Sequence, residues 1–298
     1  MIDTLSHLPR PDAGAAELAD RFSDLAPPLT ARQAALESAR CLYCYDAPCV
    51  NACPSEIDIP SFIRNISHEN VQGAAQTILS ANILGGSCAR VCPTEILCQQ
   101  ACVRNNAQEC APVLIGLLQR HAIDNAQFSE HPFQRAPASG KRIAVVGAGP
   151  AGLSCAHRLA MHGHEVVIFE AREKAGGLNE YGIAKYKLVD DFAQREVEFL
   201  LQIGGIEIRH GHKLGDDLSL SELHQQFDAV FLGIGLAASK RLGLPSDPRK
   251  FTPHVTLARL KASRVEDVVH YLGGRGDFHT MPFRIGRFVL LSSRDSVG

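Results

Sequence analysis

From about Thr30 to Phe128, apolar residues recur at intervals of three and four. Phe62, Ile63 and Ile66, then Val71, Ala74, Ala75, Ile78 and Leu79, each mark the inward face of a predicted helix. Pro60 suits the first turn of one helix, and Pro112 that of another carrying Ile115, Leu118, Gln119 and Ala122, because the first N–H groups of a helix have no partner to lose. The next stretch, SEHPFQRAPASGK from Ser129 to Lys141, is polar, holds two prolines and reads as a linker. Beyond it the period changes. RIAVVGAGPAGLSCAHRLAMHGHEVVIFEAR predicts a buried strand, a glycine turn, a helix and a second buried strand ending at Glu170. LVDDFAQREVEFLLQIGG predicts an amphipathic helix, IEIRH a short strand, and DAVFLGIG a further buried strand closing on a glycine turn. This alternation is that of a doubly wound parallel sheet.

Composition narrows the class of protein. The chain has 298 residues, 45% of them hydrophobic, enough to build packed cores. Lys and Arg number 30 against 32 Asp and Glu, so no overall field draws the chain to nucleic acid or to an anionic membrane. The opening MIDTLSHLPRPDAGAAELADRF lacks the apolar core of a signal peptide, and no run nears the roughly 18 apolar residues of a membrane span. A cytoplasmic location is expected, with no membrane and no nucleic-acid partner.

In that compartment, ten cysteines point to metal before disulfides. Eight fall in two compact groups, CLYCYDAPCVNACP (Cys41, Cys44, Cys49, Cys53) and CARVCPTEILCQQAC (Cys88, Cys92, Cys98, Cys102), on loops between the predicted helices. Cys110 and Cys155 stand apart and read as small buried hydrophobes. Short-spaced thiolates can converge on one cube of iron and sulfur while a cysteine a few residues on ligates a neighbouring cube. The proline after Cys53 and after Cys92 removes an N–H and fixes the chain direction. Zinc is the rival, but it typically uses paired CxxC knuckles, and only Cys41 and Cys44 form one.

The second chemical signal is GxGxxG. Gly147, Gly149 and Gly152 stand at a strand-to-helix turn, where the backbone can approach a pyrophosphate and the helix N-terminus offers unpaired N–H groups. Glu170 follows Gly152 by 18 residues, where it can accept from a ribose hydroxyl. The motif does not choose between FAD and a nicotinamide cofactor. Gly176, Gly177 and Leu178 follow the second strand closely.

From about Ala31 to Pro245 the chain resembles the N-terminal part of dihydropyrimidine dehydrogenase and its bacterial NAD-dependent small subunit, with the glutamate synthase small subunit a more distant relative. DAPCVNACP, IDIPSFIRNI, GAAQTIL, CARVCPTEILC and IGLLQR stand in the order and spacing of that family. The resemblance implies two [4Fe–4S] clusters beside an FAD domain. One cluster would be held by Cys41, Cys44, Cys49 and Cys102, and the other by Cys53, Cys92, Cys98 and the amide of Gln119, leaving Cys88 as no ligand. Gly147, Gly149 and Gly152 would receive the pyrophosphate of FAD and Glu170 its ribose, with Gly177 and Leu178 along the cofactor. It further implies electron transfer between FAD and the clusters, as in NAD(P)H-dependent dihydropyrimidine dehydrogenase, and a catalytic flavoprotein subunit as partner.

After GLAASKRLGLP the likeness stops. No second glycine turn for a nicotinamide is evident: Gly273, Gly274 and Gly276 lack the motif's last glycine and the preceding apolar strand of a phosphate turn. FTPHVTLARL instead resembles one half of a two-histidine phosphoesterase of the RNA 2′,3′-cyclic phosphodiesterase type. His254 and Thr256 form one His-x-Thr copy, whereas that chemistry needs two, so no catalytic residue is assigned and these two stand as weak candidates. The expected fold is therefore multidomain: an all-α cluster domain over 1–136, an incomplete α/β Rossmann-like FAD domain over 137–245, and a short α+β half-lobe over 246–298. The alternative functions are a non-redox metal-binding interaction module and a phosphodiesterase fragment.

Overall fold

The computed structural model describes residues 23–24, 26–106 and 111–235. They belong to a compact unit that closes at Gly235. Cys110, His254, Thr256 and the expected half-lobe over 246–298 lie outside the described residues.

The first part is helical. Helix α1 (Ala31–Ser38) starts on a reciprocal cap between Thr30 and Gln33, and α2 (Pro48–Asn51) is a single short turn. Helix α3 (Ile59–Ser67) is capped by Asp58 and has Pro60 in its first turn, as expected; α4 (Val71–Ala81) is capped by Asn70. Helices α5 (Gly85–Val91) and α6 (Ile115–Asn125) complete this part. Phe62, Ile63, Ile66, Ala74, Ile78, Leu118 and Ala122 meet in its core, the residues that the three-and-four spacing marks as inward. Pro112 departs from expectation. Helix α6 begins after Leu114, and Pro112 lies outside it, where its carbonyl accepts from Arg40 at 3.1 Å.

The second part is a parallel sheet in the order β3-β2-β1-β4, formed by β1 (Arg142–Val146), β2 (Glu165–Glu170), β3 (Ile206–His210) and β4 (Ala229–Leu232). Val145 pairs with Ile168 on one side and Phe231 on the other, so β1 is central. Helices α7 (Pro150–Met161), α8 (Leu178–Tyr181), α9 (Phe192–Leu201) and α10 (Leu220–Gln226) fill the connections. The chain order reverses between β1 and β4, the place where such sheets open a crevice at the carboxyl ends of their strands.

Two expectations are corrected here. DAVFLGIG does form a strand, but an edge one: Phe231 is 37% and Leu232 42% exposed, because among the described residues β4 pairs only with β1. The stretch read as a linker is strapped down. The His131 ring stacks on Phe199 with centroids 5.1 Å apart, Phe133 packs on the sheet's core, and the Ala136 N–H donates to the Met161 carbonyl at 2.9 Å. Among the described residues no helix is long and apolar enough to cross a membrane.

Candidate functional site

The cysteines are not all on loops. Cys49 lies in α2, Cys88 in α5, and Cys92 closes α5, while Cys41, Cys44, Cys53, Cys98 and Cys102 occupy turns and irregular segments. Residues distant in sequence are thereby brought together. Cys41, Cys44, Cys49 and Cys102 line one pocket, walled by Pro48, Ile59, Ile63, Val113 and Ile115. Burial pushes the Cys41 thiol up, and Cys44 and Cys102 add to this by repelling its anion; burial with Cys41 and Cys102 nearby pushes Cys49 up to about 11. Thiols gathered in a half-buried place resist ionising, and a cationic centre removes that resistance.

The remaining four cysteines form a second group. Cys88 is pushed down to about 7 by a hydrogen bond with Cys92 and further ones with Gln119 and Asn82, and the same bond pushes Cys92 up. Burial, with Cys53, Cys49 and Cys88 near, raises Cys98 to about 12. Gln119 is buried, and its Nε2 donates to the Gly85 carbonyl at 2.8 Å. Cys88 and Gln119 are thus neighbours at this second group. Among the described residues no three His, Cys, Asp or Glu side chains close around a single metal ion. The thiolates of a cube bind separate irons and need not come so close. Sulfur donors with the apolar walls of the first pocket suit iron–sulfur ligation.

The glycine turn leaves β1 at the crevice. Gly147 has φ +101°, and its N–H donates to the Phe169 carbonyl at 2.8 Å. A Cβ on Gly152 would strike the Gly147 carbonyl oxygen, so the turn and α7 approach too closely for any other residue. Gly149 caps α7. Glu170 is buried at the end of β2; its Oε2 accepts from the Ala148 N–H at 2.7 Å and its Oε1 from the Arg172 N–H at 2.9 Å. The Gly176 N–H donates to the Ala148 carbonyl at 2.8 Å, which seats the Gly176–Gly177 turn beside the motif, and Leu178 begins α8 with its side chain exposed. All six nucleotide candidates therefore gather around one turn.

Sequence reasoning passed over Glu196. This buried carboxylate of α9 bonds to Gly86 and Ser87 at the start of α5. A signal existed: Ala193, Glu196, Val197 and Leu200 lie on one apolar stripe, where a lone acid is costly without partners.

Comparison with known proteins gives three family matches along the chain. Residues 18–131 match the family "Dihydropyrimidine dehydrogenase domain II, 4Fe-4S cluster", residues 145–181 the "NAD(P)-binding Rossmann-like domain", and residues 231–298 the "LigT like Phosphoesterase" family. The resemblances drawn from the cysteine motifs and from FTPHVTLARL are both present. The NAD-dependent dihydropyrimidine dehydrogenase subunit PreT of Salmonella typhimurium (strain LT2) is 37% identical over 225 residues, 75% of this chain and 53% of its own length. The NADPH-Fe(3+) oxidoreductase subunit beta of Geobacter sulfurreducens is 35% identical over 211 residues, 70% of this chain and 31% of its own. The chain thus spans about half the length of the first of these relatives and less of the second. A solved structure, that of 6-hydroxypseudooxynicotine amine oxidase from Pseudomonas geniculata N1, aligns over 63% of this chain and 24% of its own at a TM-score of 0.29 and 20% identity, values that carry no argument.

Proposed function

We propose that this chain is an oxidoreductase component holding FAD and two [4Fe–4S] clusters, of the kind that serves NAD(P)H-dependent dihydropyrimidine dehydrogenase, and that it works with a separate catalytic flavoprotein subunit. The observation that carries the reading is the lining of one pocket by Cys41, Cys44, Cys49 and Cys102, which come from two separate stretches of chain. These four are the proposed ligands of the first cluster. Cys53, Cys92, Cys98 and the Gln119 amide are those of the second, with Cys88 beside them as a non-ligating neighbour. The match of 18–131 to a 4Fe-4S family, and relatives named as oxidoreductase subunits, support the assignment.

When bound, the flavin would turn a two-electron hydride into single electrons and the clusters would move them one at a time. The chain's own contribution is positional. Ile59, Ile63, Val113 and Ile115 keep water from the first thiol group. Gly149 and Gly152 open backbone N–H groups to a pyrophosphate, and Gly147, whose own N–H is taken by the Phe169 carbonyl, supplies the left-handed bend that lets the backbone approach it. Glu170 braces the turn through Ala148 and can accept a ribose hydroxyl on its free lone pairs, with Gly177 and Leu178 alongside. The proposed division is a cluster domain over 1–136, a nucleotide domain over 137–245 and a half-lobe over 246–298, in a cytoplasmic protein.

A second reading has one observation in its favour: the family matched by 145–181 is described as NAD(P)-binding, which would put a nicotinamide dinucleotide on the same turn. Anaerobic purification followed by iron, sulfide, zinc and flavin analysis separates the readings. We expect a brown protein, bleached by dithionite, with about eight irons and eight sulfides per chain and one flavin. Clusters without flavin would favour the nicotinamide reading, and zinc in place of iron would overturn the redox function. With one His-x-Thr copy, residues 246–298 are proposed to contribute no phosphodiester hydrolysis; cleavage of a 2′,3′-cyclic nucleotide that is lost in His254→Ala would reverse this.

A further inference from the structure

Helix α9 faces two ways. Val197 and Leu200 pack into the sheet's core with Val145, Leu153 and Ile168. From the same helix, Glu196 reaches α5: its Oε1 accepts from the Gly86 N–H at 2.9 Å and the Ser87 N–H at 3.0 Å, and its Oε2 accepts the Ser87 hydroxyl. Helix α5 carries Cys88, ends on Cys92, and takes the Gln119 side chain on its Gly85 carbonyl. The three bonds of Glu196 therefore end immediately before Cys88, and they satisfy first-turn N–H groups that a helix leaves unpaired. Phe192, one turn earlier, packs on Gly86 and lies 3.6 Å under the Arg90 guanidinium, which pairs with Asp124 at 2.6 Å.

Apolar contact alone would hold two helices together, and a buried carboxylate costs several kcal/mol unless its partners are well placed. Burial pushes the Glu196 carboxyl above its ordinary range, but the Gly86 and Ser87 N–H groups that meet on its Oε1 can only donate, and they favour the ionised form. Among the described residues, those that line the first thiol pocket are apolar residues, cysteines and Arg104, with no carboxylate. An anion beside a cluster opposes the arrival of an electron there, so it holds down the reduction potential of that cluster and not of a more distant one.

Resting on the iron–sulfur reading above, we infer that Glu196 is a positioning residue for the second cluster: it fixes α5, so that Cys88, Cys92 and Gln119 keep their mutual placement, and sets a permanent negative charge on the sheet side of that cluster.

The test is a redox titration of the anaerobic full chain followed by electron paramagnetic resonance. Cys41→Ser and Gln119→Ala identify which signal belongs to which cluster. In Glu196→Gln we expect full iron and an upward shift in the midpoint of the second-cluster signal, with the first-cluster midpoint unmoved. Both midpoints unchanged, or both moved equally, would overturn the inference. Should Glu196→Gln fail to keep its iron, Glu196→Asp carries the test, since it keeps the charge and shortens the reach. The expected result is weakened loading of the second cluster with the first signal intact, and simultaneous loss of both signals would count against the inference. A wild-type chain with no cluster signal would remove the iron–sulfur reading itself, an outcome distinct from an unresponsive variant.

Discussion

The Glu170 carboxylate accepts the backbone N–H of Ala148 at 2.7 Å, tying the end of the second strand to the glycine turn that follows the first. Ala148 is itself fully buried, so this bond satisfies a polar group that has no access to water. The turn is accordingly rigid before any nucleotide arrives, and its closest internal approach is between Gly152 and the Gly147 carbonyl.

Gly152→Ala should therefore fail at the backbone. The added methyl meets a carbonyl oxygen of the turn, which cannot rotate away as a side chain would. A loss of about 1–3 kcal/mol in urea denaturation is expected, together with loss of bound dinucleotide in the purified protein. Glu170→Gln should cost about 1–3 kcal/mol by placing an amide N–H₂ opposite a backbone donor.

Removing Cys41 should cost one cluster and leave the other. In Cys41→Ser, iron per chain is expected to fall by about half, with one paramagnetic signal lost and the second retained. Gln119→Ala should do the converse, changing the second signal alone, and a spectrum identical to wild type would transfer the eighth ligand position to Cys88.

Acid should destabilise the fold through His157. This ring is 3% exposed, its Nε2 has no hydrogen-bond partner among the described residues, and burial, aided by His131 and Arg158, pushes it down from 6.5 to about 4. The unfolded chain then binds a proton that the folded chain refuses. Stability is thus full above about pH 6.5 and falls as pH drops toward 4, by about 3 kcal/mol in all. Thermal denaturation across that range should show the loss, and His157→Phe, which cannot titrate, should flatten it.

Gly86→Ala probes the contact between α5 and α9. A Cβ there runs into the Phe192 ring and comes within 3.0 Å of the Glu196 carboxylate. We expect about 1–3 kcal/mol of destabilisation by chemical denaturation. Phe192→Leu in the same chain should restore part of it, because the obstacle is a side chain and not backbone.

Much of this molecule was written in local pattern. Phe62, Ile63 and Ile66 mark their helix by spacing alone, and the Val145–Gly152 stretch announces strand, turn and helix because each step is a property of neighbouring residues. The edge exposure of Phe231 and Leu232 could not be read that way: an apolar run looks the same in a central strand and at a rim, and strand order decides which it is. The linker likewise held no local mark of its attachment, since His131 and Phe133 gain their partners from Phe199 and His157, far along the chain. The cysteines divide along the same line. Their number, spacing and following prolines name the chemistry, but the gathering of Cys102 with Cys41, and of Gln119 with Cys88, comes from folding α3, α4 and α6 around a common core. Glu196 is the clearest case. One residue's polarity is visible in a string of letters, whereas three donors from a different part of the chain converge on it only once burial has made water too scarce to serve instead.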